Sequence, residues 1–189
     1  MYTDLKSFQQ AEIIYDFTVG FCNKYIDKKS RTHDQMIQAA RSGKQNIAEG
    51  TSSSKQKEKS EVYLLSIATA SLKELLEDYK DFLRQDNLKL WSRDDKRVIE
   101  IRNIAYKQDR SYKTYEAYTE DKESAANAMI CLINQTTYLL DQQIRSLEKK
   151  GVYSSRSNQL QRKLDDSKNK NKEFDKKLQE IIQGKRKSL

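Results

Sequence analysis

Two long segments of the chain each carry a pair of apolar stripes with helical spacing. Residues 57–84 place one stripe at steps of three and four and a second stripe beside it, and residues 121–149 repeat this arrangement. The chain has no proline and only five glycines, so it is poor in residues that break helices. A single stripe serves a two-helix seam, whereas two adjacent stripes predict burial against at least two neighbouring helices. The sequence therefore favours a helical bundle.

Two further helices are predicted before these segments. Apolar residues at steps of three and four predict the first helix over about residues 7–26, and the second over about residues 31–50. A mid-helix glycine costs about 1 kcal/mol relative to alanine, so we expect the glycine of the second helix to permit close packing of another backbone. Gly50 is expected to end this helix in the left-handed conformation. The small face of the helix consists of Ala39, Ala40 and Gly43.

Residues 85–120 form a long excursion between the last two long helices. Ser92 can cap a short helix there, with Asp95 three residues on. Three tyrosines then recur at a spacing of three, which favours packing of their rings on the bundle over stacking on nucleic-acid bases. They are Tyr112, Tyr115 and Tyr118.

The predicted fold is all-α, an up-down four-helix bundle with an inserted short helix or loop at about 85–120. The bundle is expected to occupy residues 1–153. A basic C-terminal extension, helical or disordered, is expected over residues 154–189.

Positive charge is distributed unevenly along the chain. The net charge is +8, and residues 155–189 alone hold eleven Lys/Arg and five Asp/Glu. Such an extension attracts polyanions through a long-range field, although lysines that merely solvate a terminus would give the same count. The candidate nucleic-acid contacts are Lys28, Lys29, Arg31, Arg41, Lys44, Arg162, Lys163, Lys185, Arg186 and Lys187.

The sequence offers no recognisable catalytic, metal or cofactor site. His33 is the single histidine, and it falls just inside a predicted helix start, where a polar residue needs no special role. Cys22 and Cys131 lie in apolar helical patterns and are predicted to be buried, reduced thiols. No signal peptide and no apolar run of about 20 residues is present, so we predict a cytoplasmic, non-enzymatic protein without a membrane span.

One part of the sequence resembles a known family. The run QNIAEG, from Gln45 to Gly50, is followed by a Ser-rich break and the long helix EVYLLSIATASLKELLEDYKDFLR. This helix-break-helix signature is similar to that of the four-helix-bundle proteins of the 23S rRNA intervening-sequence family. The segment ANAMICLINQTTYLLDQQIRSLE resembles the last helix of a longer branch of that family. The resemblance covers about residues 8–150 and identifies a fold, not a reaction. Asn46 and Glu49 are expected to hydrogen-bond the break and the start of the next helix, with Gly50 completing this structural signature.

The resemblance implies a ring-like homo-oligomer, commonly a pentamer, that binds RNA or DNA through basic surface. A related branch serves as the accessory protein of diversity-generating retroelements, where it contacts nucleic acid and a reverse transcriptase. The alternative is a protein–protein interaction scaffold or accessory subunit that does not bind nucleic acid directly. The excursion and the C-terminal extension are additions to the short family pattern, and they are expected to cover or extend surfaces that short relatives leave open.

Overall fold

The computed structural model describes residues 2–52, 58–105, 107 and 110–150. The chain divides into two compact units, Met1–Leu147 and Glu148–Leu189, and nearly all the described residues belong to the first. The extension predicted over 154–189, with its basic residues Arg162, Lys163, Lys185, Arg186 and Lys187, lies outside the described residues. The Ser-rich break after residue 52 also lies outside them.

The described residues are helical, without any strand. Helix α1 spans Lys6–Tyr25, α2 spans Arg31–Ser52, α3 spans Glu58–Gln85, α4 spans Lys96–Ile104, and α5 covers residues 122–150. A 3₁₀ turn at Tyr2–Asp4 precedes α1, and a 3₁₀ helix at Tyr112–Tyr118 precedes α5. The all-α prediction is confirmed, and so is the short helix inserted between the last two long helices.

The long helices pack as an up-down four-helix bundle. Helix α2 packs along both α1 and α3. Helices α1 and α3 meet across the core, where the Tyr79 hydroxyl donates to Thr18 Oγ1 at 3.0 Å. Helix α5 runs antiparallel to α1, because Ser7 hydrogen-bonds Gln143 near one end while the Tyr25 hydroxyl bonds the Thr119 carbonyl, just before α5, at the other.

The first half of α5 is buried on every side. All of residues 125–133 are buried, whereas exposed positions recur from residue 134 onwards and none of residues 141–150 is buried. The inserted segment supplies the outer cover: the Cys131 thiol lies 3.9 Å from the Val98 carbonyl, and Gln135 Nε2 donates to the Arg102 carbonyl at 3.4 Å. The expectation that the excursion covers a bundle surface is therefore met on α5.

The two glycines of α2 both serve close packing. Gly43 is buried against Leu72 of α3, as the small-face argument predicts. The expected left-handed conformation at Gly50 was wrong: the helix continues to Ser52, and no glycine among the described residues has a positive φ. A Cβ at residue 50 would lie 3.2 Å from Leu64 Cβ, so Gly50 lets the start of α3 approach α2.

The cap of α4 also differs from the prediction. The N-cap is Asp95, whose carboxylate accepts from the Arg97 amide at 3.0 Å. Ser92 instead lies one turn earlier, where its carbonyl accepts from the Asp95 amide. The carboxylate can satisfy an orphan amide of the first helical turn directly, and this leaves the serine to form the preceding turn.

Candidate nucleic-acid interface

The outer surface of α2 is polar rather than basic. Arg31 and Arg41 are both exposed there, and Lys28 and Lys29 are exposed in the connection before the helix. The same outward stripe also carries carboxylates and uncharged amides, so its charges balance. Its further exposed members are Asp34, Gln35, Gln38, Gln45 and Glu49.

Lys44 is drawn away from this stripe toward α1. Its Nζ lies 4.5 Å from the centroid of the Tyr15 ring, and the side chain is half-buried. A cation held over an aromatic face is partly satisfied by the ring. Lys44 is therefore a contact between α2 and α1 as well as a positive charge. Unlike Arg41, it is not a fully exposed candidate for binding phosphate.

The family-like signature is a packing element. The Asn46 side-chain amide donates to the Ser42 carbonyl at 2.9 Å, one turn back within α2. This carbonyl is within immediate reach of a helical asparagine, and the break that Asn46 was predicted to hydrogen-bond lies outside the described residues. Glu49 is exposed in the last turns of α2, and Gly50 is buried against α3.

The inserted segment carries a net positive charge. Residues 89–113 hold eight Lys/Arg and four Asp/Glu. Five of these basic side chains are exposed and form no ion pair among the described residues: Lys89, Arg93, Lys96, Lys107 and Lys113. A charge count taken segment by segment would have found this concentration in the sequence.

The start of the inserted segment is fastened to α5 by a network of hydrogen bonds. The Trp91 amide donates to Asn127 Oδ1 at 2.8 Å, and the indole Nε1 donates to Glu123 Oε1 at 2.9 Å. Glu123 Oε2 accepts from the Lys89 amide, and Asn127 Nδ2 donates to the Lys89 carbonyl. The Trp91 and Lys89 hydrogen bonds lower the pKa of Glu123. Lys89 is thereby held on a fixed backbone.

A second set of contacts fixes the start of α4. The Arg97 guanidinium lies 3.7 Å from the centroid of the Trp91 ring and makes a two-point contact with Asp95 at 3.0 and 2.8 Å. Hydrogen bonds from Arg97 lower the pKa of Asp95 to about 2. Arg97 is thus engaged within the protein, whereas the neighbouring Arg93 and Lys96 extend into solvent.

The tyrosines of the 3₁₀ helix pack on the bundle, as predicted. Tyr115 is buried, and burial raises its pKa to about 12 against the opposing positive charge of Arg110. Tyr112 meets Phe17 edge-on, with ring centroids 5.8 Å apart, and Tyr118 packs against the core. A 3₁₀ helix repeats every three residues, so the spacing places all three rings on one side. All three rings therefore take part in packing on the bundle.

The two cysteines and the single histidine are all buried. Cys22 and Cys131 are free and buried, as predicted, and burial followed by the charge of Asp78 raises the Cys22 pKa to about 12. His33 is buried, with Nδ1 3.3 Å from Asp34 Oδ1. Within the described ranges, no group of three or more His, Cys, Asp or Glu side chains could hold a metal ion.

Comparison with known proteins gave no match to a family model, a curated protein or a solved structure. None of the helices in the part of the chain that the structure describes is both long and apolar enough to cross a membrane.

Proposed function

We propose that this protein is a non-enzymatic helical bundle that binds nucleic acid, RNA in particular, through the exposed basic side chains of its inserted segment. The observation that carries the proposal is the excess of exposed, unpaired lysine and arginine in residues 89–113. Phosphate contacts of this kind supply most of the affinity of sequence-independent binding. The C-terminal extension, with its own basic excess, would add to the same field.

The family resemblance supports the same proposal. The QNIAEG signature precedes helix α3 and packs against it through Gly50, in keeping with an architectural role. We further propose that the chain is related to the intervening-sequence proteins and assembles into a ring, as a pentamer. A ring would repeat each basic segment around its axis, and repeated weak contacts give avidity.

The test measures binding to labelled single-stranded RNA, double-stranded RNA and double-stranded DNA by fluorescence anisotropy over a range of salt concentrations. We expect the slope of log affinity against log salt to fall by about one for each phosphate contact removed. The triple variant K89Q/R93Q/K96Q should therefore bind more weakly, with a slope smaller by about three. The matched control K28Q/K29Q/R31Q removes three exposed charges at the α1–α2 connection and should change the slope less.

Truncation after Tyr153 should weaken binding further, because it removes the basic extension. The proposal fails if the full-length protein retains none of the three nucleic acids at low salt. If the two triple variants lost affinity equally, total positive charge rather than a defined contact surface would determine binding. Light scattering of the protein alone and with RNA gives the subunit number, and a strict monomer would remove the ring.

A protein–protein scaffold is the second candidate, and exposed aromatic side chains favour it. Tyr63 on α3 is 65% exposed and Tyr138 on α5 is 63% exposed. Tyrosine is enriched at protein interfaces, since a ring with a polar tip can be buried with little loss of conformational entropy. A pull-down should compare the native chain with the variant Y63S/Y138S. The scaffold is favoured if the native chain captures a defined partner, the variant does not, and neither protein binds nucleic acid.

A further inference from the structure

A cleft lies between α1 and the chain just before the Tyr112–Tyr118 helix. Its volume is about 380 Å³, and its lining includes Glu12 and Asp16 of α1 and Arg110 and Tyr112 on the facing side. This volume is at the lower end of the range that holds small-molecule ligands. None of the five exposed basic residues of the proposed nucleic-acid surface lines the cleft.

The α1 side of the cleft carries uncompensated negative charge. Glu12 and Asp16 are one helical turn apart and exposed, and neither forms an ion pair or hydrogen bond among the described residues. Like charges at this spacing repel and slightly destabilise a helix. A bound cationic group would relieve that repulsion.

The facing side carries a positive charge that is not used by these carboxylates. Arg110 lines the same cleft, yet no ion pair joins it to Glu12 or Asp16. Its Nε is buried and makes no hydrogen bond in the structure, while the Arg110 charge also acts on the buried Tyr115 hydroxyl, whose pKa it lowers against the effect of burial. A buried donor without a partner is uncommon in proteins and calls for an explanation. Residues of opposite charge therefore line the same cleft.

The wall that carries Arg110 is well supported. Ser111 and Thr114 form a capping box, with the Ser111 amide donating to Thr114 Oγ1 at 3.1 Å. Tyr112 is held edge-on against Phe17, and its hydroxyl lies 3.1 Å from the position that a Cβ would occupy at Gly20. At the other end, Gln9 Nε2 donates to the Thr3 carbonyl at 3.1 Å. The two walls are thus fixed independently of any ligand.

We propose that this cleft binds a small zwitterion of the size of a free amino acid. Its ammonium group would lie against Glu12 and Asp16, and its carboxylate would accept from the Arg110 guanidinium. Carboxylates suit ammonium donors, and the fork of arginine suits a carboxylate, so the two walls match the two ends of such a molecule. A purely cationic ligand would be repelled by Arg110, and a purely anionic one by the α1 carboxylates.

Saturation-transfer NMR with pools of the common free amino acids at millimolar concentration tests the proposal. We expect signal from at least one free amino acid and its loss in the N-acetylated and the carboxamide forms of the same compound. The variants E12Q/D16N and R110Q should each raise the dissociation constant about tenfold or more, as expected for loss of a charge-assisted contact. Nucleic-acid affinity, measured in parallel, should not fall in E12Q/D16N, which separates this proposal from the one above.

The control E77Q/D81N removes two carboxylates at the same helical spacing on α3 and should bind the probe as the native chain does. Circular dichroism of each variant establishes that it is folded. Absence of signal with every free amino acid overturns the proposal, as does binding that survives E12Q/D16N. Equal binding of the carboxamide form would show a site for amines alone, and the zwitterion assignment would then be wrong.

Discussion

Gly43 of α2 lies directly against Leu72 of α3. A Cβ built on Gly43 would lie 2.8 Å from Leu72 Cδ2 and 2.9 Å from Leu72 Cγ, closer than side chains can pack. Leu72 is fully buried and has little room to move away. The conformational cost of a glycine inside a helix is therefore offset by the approach of α3 that it permits.

Gly43→Ala is expected to destabilise the fold although alanine is the better helix former. Overpacking a buried contact costs about 1–3 kcal/mol, and the gain in helix propensity returns about 1 kcal/mol. Urea unfolding should therefore show a free energy of unfolding lower by up to about 2 kcal/mol. Gly20→Ala is the matched control, because there the new Cβ meets only the hydroxyl end of the half-buried Tyr112. An equal effect of the two substitutions would contradict the contact argument.

Asn127→Ala should loosen the inserted segment from α5. It leaves the Trp91 amide and the Lys89 carbonyl without their partner, and an unsatisfied buried polar group costs about 1–3 kcal/mol. Trp91 is the single tryptophan of the chain, so its fluorescence reports this region alone. We expect a red-shifted emission and faster amide hydrogen exchange around residues 89–91. Asn134→Ala removes only a bond to Ile130 within α5 and should leave the emission unchanged.

Acidification should act on the same attachment. The Trp91 and Lys89 hydrogen bonds lower the pKa of Glu123 below its ordinary value of 4.5. A lowered folded-state pKa means that the stabilisation is complete above that ordinary value and is lost as the pH falls through the folded-state pKa. Trp91 emission should therefore shift to the red in that acidic range, before the helical signal is lost. Glu123→Gln should show no such step, and a step of the same size in this variant would rule out Glu123 as its source.

The pKa of Asp78 is shifted in the opposite direction from that of Glu123. Burial raises its pKa above the ordinary 3.8, and the charges of Glu74 and Asp81 raise it further. The ionised form is thus disfavoured in the folded state, and the cost is relieved as the pH falls through the folded-state pKa. Asp78→Asn should raise the melting temperature at neutral pH by an amount that corresponds to about 0.5 kcal/mol or less, since solvent screens the site. The difference should vanish in acid, whereas Asp86→Asn, which removes an ion pair with Lys122, should give no increase at neutral pH.

Much of the bundle could be predicted from the local pattern of the sequence. The apolar spacing of the four long helices and the three-residue spacing of Tyr112, Tyr115 and Tyr118 correspond to buried faces in the structure. The prediction failed where two local signals competed. Ser92 and Asp95 are both good caps, and Gly50 is compatible with a left-handed turn or with close packing; neighbouring helices and turns decided each case.

The candidate sites were harder to predict because they depend on contacts between distant residues. No local pattern links Trp91 to Asn127, or Arg110 to Glu12 and Asp16. Lys44 shows the same difficulty, because nothing near it in the sequence indicates that its ammonium group lies over the Tyr15 ring. The basic excess of residues 89–113 was accessible to a segmental charge count but is diluted in a sum over the whole bundle.

The all-round burial of residues 125–133 has a consequence for assembly. A neighbouring subunit could reach this half of α5 only by displacing the inserted segment together with its attachments at Trp91 and Val98. Subunit contacts in an oligomer of the native fold are therefore expected outside this half of α5. Crosslinks or interface substitutions placed on other surfaces are informative, whereas a contact mapped to residues 125–133 would mean that the protomer rearranges as it assembles.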